Sequence, residues 1–387
     1  MGFTAELPYL LLHHVPGLGP KRLQLAQQIF PNPNQLLTQD AHFWRDKVRL
    51  PTAGWLAILQ WQTRQQHSEL YQRASQDLAW QDAAVDHHII HRTHADYPPM
   101  LSVLHDPPNV LYVRGNLSCL SQPQIAVVGA RAASRTGLQL AQQFAQALSA
   151  QGWLVSSGLA KGIDGAVHQG CLDGGFPTLA VLGSGLQAVY PRIHQKMADA
   201  IVAQGALVSE FPVHAGAKPF HFPQRNRIIA GLCQGLLVVE AAEKSGSLIT
   251  AQMALEGGKE VFAVPGNPLN PLTKGCHRLI QQGAGLAVQA EDIVNALPAF
   301  AKQRPISADP KSGGVTPDAE VPRLGDLDAE QEAVSRSVLQ WVSYDGSSFA
   351  QIEADCRLPT ERLMRALLML ELTGAVASAP GGYCRLR

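Results

Sequence analysis

The central part of the chain alternates short apolar runs with longer amphipathic stretches. The apolar runs are rich in Val, Leu, Ile and Ala and lie at 125–129, 153–157, 178–182, 206–210, 235–240 and 260–264. Near-continuous runs of this kind are typical of strands that are covered on both faces. The stretches between them are roughly a dozen residues long and have helical periodicity. The alternation predicts an α/β core, with a doubly wound parallel sheet and right-handed crossovers.

The N-terminal part of the chain has a different pattern from this core, which we place at 83–298. Residues 1–82 are rich in Leu, Gln and Trp and predict a helical module. Within it, 13–30 has the order helix end, Pro-Gly-Leu-Gly turn and helix, which is typical of a helix-hairpin-helix. Such a hairpin can hold a DNA phosphate at a helix N-terminus near Lys21 and Arg22, and a purely structural hairpin is the alternative.

The C-terminal part predicts a second small module. Residues 299–326 contain Pro, Gly, Ser and charged residues without periodicity and predict a linker. Residues 327–387 predict three helices and then two short strands around a Pro-Gly-Gly turn, which is the order of a winged helix. The third helix carries Arg362 and Arg365 beside acidic residues. Duplex DNA and a protein partner are both open as its ligand.

Composition excludes several classes of protein. Hydrophobic residues make up 46% of the 387 and charged residues only 16%, which indicates a globular chain of two to three domains. There is no apolar run of about 18 residues, so we expect no membrane span. The N-terminus lacks a secretory pattern. The six cysteines form no C-x-x-C pair, which argues against a disulfide scaffold or a thiolate zinc site and favours a cytoplasmic location.

The charge distribution is more informative than the net charge, which is zero. Two long windows, 107–163 and 211–239, contain no Asp or Glu but do contain Lys and Arg. A neutral chain with acid-free windows can still present a local surface that attracts anions.

The loops that follow the predicted strands are the candidate binding site, because ligands bind outside the carboxyl ends of parallel strands. These loops combine small residues, hydroxyl donors and cations, which suit phosphate groups. The candidate residues are Gly129, Arg131, Ser134, Arg135, Lys161, Gly183, Ser184, Gly185, Lys218, Phe222, Arg225, Asn226, Arg227, Ser245 and Gly246.

The first loop, GARAASRTG at 129–137, resembles a dinucleotide-binding loop and departs from it. A pyrophosphate loop needs glycines at G-x-G-x-x-G spacing so that the backbone can approach the phosphates. Arg131 and Ser134 stand at the second and third glycine positions. A ligand held by cations rather than by close backbone approach would account for this difference.

Several candidates also have a structural interpretation. Arg131 and Lys161 could form salt bridges with Asp164 or Glu240. Arg225 and Arg227 could bind carbonyl groups and lock the fold, with Asn226 as a helix-start hydrogen bonder. Phe220 and Phe222 flank His221 and could stack on bases or anchor the loop in the core. The SGSLIT segment at 245–250 could bind an anion at a helix start or simply cap the helix.

The sequence contains no recognisable catalytic motif. There is no P-loop, no G-x-S-x-G and no H-E-x-x-H. We therefore expect no enzyme activity, no catalytic residue, no metal and no cofactor. Asp164 and Glu240 are the carboxylates in these loops that could act as acid or base. The favoured role for each is structural, in holding Lys161 or Arg131. The histidines of 86–94 have no clear metal-ligand spacing.

The chain resembles the DNA processing protein A family. The resemblance lies in the ordered motifs VVGARAASRTG, SGLAKGIDGAVHQG, VLGSGLQAVYP, SEFPVHAGAKPFHFPQRNRIIAGL, VVEAAEKSGSLITAQMALEGGKEVFAVPGN and KGCHRLIQQGA. These motifs span about 95–290. The resemblance implies an extended Rossmann-like core with a helix-hairpin-helix or SAM-like N-terminal module and a C-terminal winged helix.

The resemblance also implies a function. It implies a non-enzymatic homodimer that binds and protects single-stranded DNA in natural transformation and loads the RecA recombinase onto it. The resemblance implies DNA-binding roles for Arg131, Lys218 and Phe222. Ala130 stands where the family usually has Ser, and Cys233 stands where a serine is common. We expect neither change to abolish binding.

Two other functions are alternatives. One is a nucleotide phosphoribohydrolase of the lysine-decarboxylase-like Rossmann group, whose P-G-G-x-G-T-x-x-E motif is not matched by EKSGSLITAQ at 243–252. The other is a regulator that binds duplex DNA through the winged helix.

Overall fold

The computed structural model describes residues 5–297, 329–343, 346–356, 358–379 and 381–386. The chain forms two compact units, Met1–Ala308 and Asp309–Arg387. The predicted linker at 299–326 lies outside the described residues. Within the described ranges, no helix combines the length and the apolar character needed to cross a bilayer.

The first unit is built on a mostly parallel sheet. Its strands are β1 His87–His91, β2 Val110–Gly115, β3 Gln124–Val128, β4 Leu154–Ser157, β5 Thr178–Val181, β6 Ala206–Ser209, β7 Gly235–Val238, β8 Glu260–Ala263 and β9 Gly285–Leu286. Among the described residues, these nine strands have the order β1-β2-β6-β5-β4-β3-β7-β8-β9. The pairs from β6 to β9 are parallel, and β1 and β2 extend the sheet antiparallel beyond β6.

The prediction of a doubly wound sheet is confirmed. All six predicted strands are present, each within about one or two residues of its predicted bounds. The pattern did not predict β1, β2 or β9. The strand order reverses at β3, which has β4 on one side and β7 on the other, so the topological switch point lies between β3 and β7.

Helices cover both faces of the sheet. The core helices are α6 Pro99–Ser102, α7 Arg135–Ala150, α8 Ile163–Asp173, α9 Gln195–Gln204, α10 His221–Leu232, α11 Gly246–Glu256, α12 Lys274–Gln281 and α13 Ala290–Ala296. Side chains of β3 alternate between the faces: Ile125 and Val127 pack with α7, α8 and α13, whereas Ala126 and Val128 pack with α10, α11 and α12. This alternation explains why the strand is apolar throughout.

The N-terminal module packs directly on the core. Its helices are α1 Leu7–His13, α2 Pro20–Ile29, α3 Pro33–Leu37, α4 Thr52–Arg64 and α5 Glu69–Asp82. Their buried side chains share one hydrophobic cluster with Tyr112 of β2 and Leu207 of β6. At this junction, the buried Asp77 carboxylate accepts hydrogen bonds from the His14 ring, at 2.7 Å, and from the Tyr112 hydroxyl. The module and the core therefore belong to one compact unit.

The second unit has the elements of a winged helix. Its elements are α14 Ala329–Leu339, α15 Phe349–Cys356, α16 Thr360–Leu372, β10 Val376–Ala379 and β11 Gly382–Arg385. β10 and β11 pair antiparallel, as the sequence predicts. Ile352, Leu363, Leu367 and Leu370 are among the side chains of its own buried cluster.

Burial of neutral histidines makes the first unit sensitive to acid. His168 of α8 is completely buried, and burial lowers its pKa from 6.5 to about 3, with His194 and Arg225 adding to the effect. The Thr178 hydroxyl donates to the Val155 carbonyl, so it accepts from the Nδ1–H of His168. The Nε2 of His168 has no hydrogen-bond partner among the described residues, and protonation there would place an unpaired charge inside the core.

We predict that stability is lost as the pH falls below about 6.5 and toward the folded-state pKa of His168 of about 3. The reason is that the unfolded chain binds the proton first. By pH 5 the contribution of His168 is on the order of 1–2 kcal/mol. Urea unfolding at pH 7 and pH 5 measures the loss. The loss of stability between pH 7 and pH 5 should be smaller in His168→Asn, whose amide can still donate to Thr178, than in the unmodified protein. In the exposed control His67→Asn, the loss should equal that of the unmodified protein. An equal loss in all three proteins would contradict the assignment.

Candidate functional site

The loops at the carboxyl ends of the strands come together at the switch point. A cavity of about 470 Å³ opens between the loop after β3 and the loop after β7. This volume is in the range of small-ligand sites. Its lining includes Gly129, Ala130, Arg131, Asp164, Phe222, Arg225, Asn226, Ser245, Gly246 and Thr250. Many of the predicted candidates thus surround one opening.

Arg131 and Phe222 both line this cavity and contact each other. The Arg131 guanidinium lies over the Phe222 ring, with its central carbon 5.2 Å from the ring centroid. The Tyr190 ring lies 5.6 Å from the Phe222 ring, and Tyr190 is 52% exposed. Tyr190 was not among the residues predicted from the sequence. Its signal was a large aromatic residue at the end of the long loop after β5, next to Pro191.

Lys218 and Phe220 form a second pair of the same kind on the loop before α10. The Lys218 ammonium lies 5.8 Å from the centroid of the Phe220 ring. Phe220 is 61% exposed, so it does not anchor the loop in the core. Phe222 is only half-buried. The site therefore presents aromatic faces and cations side by side, an arrangement that suits stacked bases and phosphates.

The cations Arg131 and Lys161 are exposed and free of ion pairs. Among the residues that the structure describes, neither forms a salt bridge. The expected pairing with Asp164 or Glu240 is therefore wrong. Asp164 is buried and accepts instead from the Ala160 amide at 3.3 Å. Burial raises the pKa of Asp164, and the nearby Arg225 guanidinium partly opposes this rise.

Glu240 binds the start of α7 rather than a cation. Its carboxylate accepts from the Ser134 amide at 2.8 Å and from the Ser134 hydroxyl at 2.5 Å. Ser134 is the N-cap of α7, and its hydroxyl oxygen accepts from the Gly137 amide at 3.0 Å. The hydroxyl and the amide of Ser134 are thus both used within the chain.

Arg225 and Arg227 lie inside the protein, and the structure favours the structural interpretation for both. Arg225 is 4% exposed and donates from one nitrogen to the carbonyls of Gly158 and Val181, at 2.6 and 2.5 Å. Burial lowers the pKa of Arg225 to about 10, so the guanidinium stays charged at neutral pH. Arg227 pairs with Glu210 at 2.5 Å and with Asp106 at 3.2 Å.

The prediction that 225–227 open a helix is wrong in its register. The helix α10 begins four residues before Arg225, at His221, with Phe220 at the N-cap. Asn226 is therefore inside the helix, and it is not a helix-start hydrogen bonder. Its side chain has no hydrogen bond within the described ranges, and it lines the cavity. A free amide at this position can donate to or accept from a bound ligand.

The Gly183-Ser184-Gly185 loop is buried, which contradicts direct contact with a ligand. A side chain at Gly183 would meet the Phe222 ring at 2.8 Å, so the absence of a side chain there makes room for the ring beside the loop. The Gly183 carbonyl also contacts the His221 ring, and the Ser184 carbonyl accepts from Ser209. This loop therefore packs against the Phe222 ring.

The remaining candidates lie at helix starts or in the first loop. Ser245 is the N-cap of α11, with its hydroxyl accepting from the Ser247 amide at 3.3 Å, and Gly246 is the first residue of that helix. Arg135 is exposed at the first position of α7. Gly129 packs against Ile163 and has no room for a side chain. In the described part of the chain, no group of His, Cys, Asp or Glu could hold a metal ion.

The helical hairpin of the N-terminal module is present. Gly17 has a φ of +77°, which favours glycine, and Gly19 is the N-cap of α2. The Arg22 guanidinium donates to the Gly17 carbonyl at 2.8 Å and so holds the turn closed. Lys21 is exposed beside it. These contacts show that Arg22 has a structural role in the turn.

The fold and the site together define a class of protein: a Rossmann-like core with exposed cations and aromatics at its strand ends, and a winged helix in the same chain. A family model described as DNA recombination-mediator protein A matches 88–298, and one described as DprA winged helix domain matches 322–382. The chain belongs to the DNA recombination-mediator protein A family.

Individual relatives agree with this assignment. Protein Smf of Escherichia coli is 40% identical over 314 residues, which are 80% of this chain and 80% of that protein. The DNA processing protein DprA of Streptococcus pneumoniae is 45% identical over 198 residues, 51% of this chain and 70% of the relative. The X-ray structure of DNA processing protein A from the same organism aligns with a TM-score of 0.63 and 33% identity, and covers 77% of this chain and 99% of that one.

Proposed function

We propose that this protein binds and protects single-stranded DNA at the strand-end site and loads the RecA recombinase onto it, as a non-enzymatic, cytoplasmic homodimer that acts in natural transformation. The observation that carries the proposal is the pair of cation–aromatic contacts, Arg131 over Phe222 and Lys218 over Phe220. The family description as a recombination mediator, and the names of its relatives as DNA processing proteins, support DNA as the ligand.

A single strand fits this surface better than a duplex. In a duplex the base faces are stacked inside, whereas a single strand can place its bases on protein aromatics. Tyr190, Phe220 and Phe222 offer such faces, and Arg131, Lys161 and Lys218 offer charges for the phosphates between the bases. Asn226 can bind a base edge or a phosphate at the cavity mouth.

The winged helix gives less support to the alternative of duplex recognition. The helix α16, which would enter a DNA groove, exposes Met364, Leu368 and Leu372, each more than half accessible. These residues are four apart and share one helix face. Reading base edges relies mainly on polar side chains, which this apolar face lacks, although Arg362 and Arg365 are exposed elsewhere on the helix. The surface is therefore more typical of a contact with protein than of a contact with duplex DNA.

We predict that Arg131→Ala with Lys218→Ala weakens binding of poly-dT by about tenfold per residue, on the order of 1.4 kcal/mol each. Each neutralised phosphate contributes about 0.7 to the dependence of log K on log salt, so the slope should fall by about 1.4 in the double variant. Fluorescence anisotropy with labelled poly-dT and a matched duplex, at several salt concentrations, measures both quantities.

The matched control is Arg362→Ala with Arg365→Ala, which removes the same charge from the winged helix. Poly-dT binding of this variant should stay near that of the unmodified protein. Equal losses in the two double variants would show that the effect is one of net charge alone. Unchanged binding in the Arg131, Lys218 variant would refute the site.

Stacking gives a separate prediction for Tyr190 and Phe222. Replacing either ring by Leu should cost about 1–3 kcal/mol of binding free energy for the base that it holds, because an alkyl chain offers no flat face. The salt slope should not change, since no charge is removed. The control is Ile193→Ala, which alters an exposed apolar residue three positions after Tyr190. If the Leu variants bound poly-dT like this control, the aromatic rings would have no role in binding.

Recombinase loading is tested with the same variants. The unmodified protein should shorten the lag before RecA hydrolyses ATP on poly-dT, because a mediator hands the strand to the recombinase. The Arg131, Lys218 variant should lose this effect, and the winged-helix control should keep it. A lag that the unmodified protein does not shorten, at concentrations that bind the strand, would separate DNA binding from recombinase loading.

A further inference from the structure

The start of α7 is the place where a doubly wound protein normally holds a phosphate. The helix after the first parallel strand points its free amides at the pyrophosphate of a dinucleotide. In this protein the first parallel strand is β3, and α7 follows it after the loop at 129–134. The first amides of α7 have no partner within the helix and must find one elsewhere.

A carboxylate of the chain, Glu240, satisfies the amide of the N-cap Ser134, whose hydroxyl oxygen in turn accepts from the Gly137 amide. Glu240 comes from the loop after β7, on the other side of the switch point, and is 5% exposed. One oxygen accepts from the Ser134 amide and the other from the Ser134 hydroxyl, at 2.8 and 2.5 Å. A side chain at Gly137 would lie 2.5 Å and 2.7 Å from the two oxygens, so the carboxylate rests against the first turn of the helix.

This carboxylate has the charge and the contacts of a bound phosphate. It is an anion at the positive end of a 16-residue helix, and it accepts from an amide and a hydroxyl there. A phosphate group of a free nucleotide would have to displace a buried, hydrogen-bonded anion of the same sign. The exposed cations Arg131 and Lys161 lie outside this position and remain accessible.

We propose that Glu240 is a specificity-determining residue: its carboxylate occupies the phosphate position at the start of α7 and excludes the phosphates of free nucleotides from the core. This inference rests on the function proposed above. With the phosphate position occupied, the ligand that remains is a strand whose phosphates meet the exposed cations. Glu240 acts by occupying this position and does not contact the DNA.

The test is the binding of inorganic phosphate by titration calorimetry, at constant ionic strength set with chloride. Glu240→Ala should bind phosphate about tenfold or more tightly than the unmodified protein, because charge-assisted hydrogen bonds to the helix start become available. Phosphate should also raise the melting temperature of this variant. Glu240→Gln, which keeps the shape and removes the charge, should bind phosphate with intermediate affinity and serves if the Ala variant does not fold.

Two controls separate exclusion from a merely structural role. Ser134→Ala removes the cap and leaves the carboxylate, so it should lose stability without gaining phosphate binding. Glu243→Ala removes an exposed carboxylate from the same loop and should change neither property. If the Glu240 variants lose stability but bind phosphate no better than Ser134→Ala, the proposal is overturned.

The failure of this proposal is distinguishable from the failure of the proposed function. Phosphate binding by the Glu240 variants is read without DNA, and poly-dT binding is read on the unmodified protein. Poly-dT binding with no gain of phosphate binding would refute the role of Glu240 alone. A gain of phosphate binding in a protein that does not bind poly-dT would support the role of Glu240 and refute the strand-binding function.

Discussion

The candidate site depends on the buried guanidinium of Arg225. It donates to the carbonyls of Gly158 and Val181, which lie at the ends of β4 and β5, and so ties α10 to both strands. Carbonyl groups buried here without a donor would each cost about 1–3 kcal/mol. Any side chain at Gly158 would collide with the guanidinium, which explains the glycine. Because Phe222 precedes Arg225 by one turn of the same helix, this anchor also fixes the aromatic surface.

The parallel part of the sheet could be predicted from the sequence because burial on both faces makes each strand apolar throughout. In β3, Ile125 and Val128 belong to opposite faces and are equally apolar. The antiparallel extension could not be predicted in this way. In β1 the buried Ile89 and Ile90 stand between histidines, and the strand exists because His87–His91 pairs with 110–114 of β2. That pairing is a non-local contact, and no local periodicity records it.

The residue types of the site could be predicted from the sequence, but the role of each charged residue could not. Arg131 and Arg227 both lie in acid-free windows. Arg131 is exposed, whereas Arg227 is only 6% exposed and forms a salt bridge with Glu210. The difference comes from the partners: Glu210 lies 17 positions before Arg227, at the end of another strand. Sequence spacing cannot show which carboxylate will reach a cation. Tyr190 was missed for a related reason, since its position beside Phe222 is set by tertiary packing.

The charges at the strand ends therefore form two sets with different consequences. In the buried set, Arg225 lies near Asp164, Arg227 pairs with Glu210, and Glu240 is held by hydrogen bonds at the start of α7. Each buried charge thus has a partner, and an unpaired charge inside the protein would be costly. Among the described residues, the exposed cations Arg131, Lys161 and Lys218 form no salt bridge, and the loop carboxylates Asp164 and Glu240 are turned inward. A chain of zero net charge can in this way present a positive surface at one sheet edge. The inward carboxylates thus leave the outward cations accessible to the polyanionic ligand proposed above.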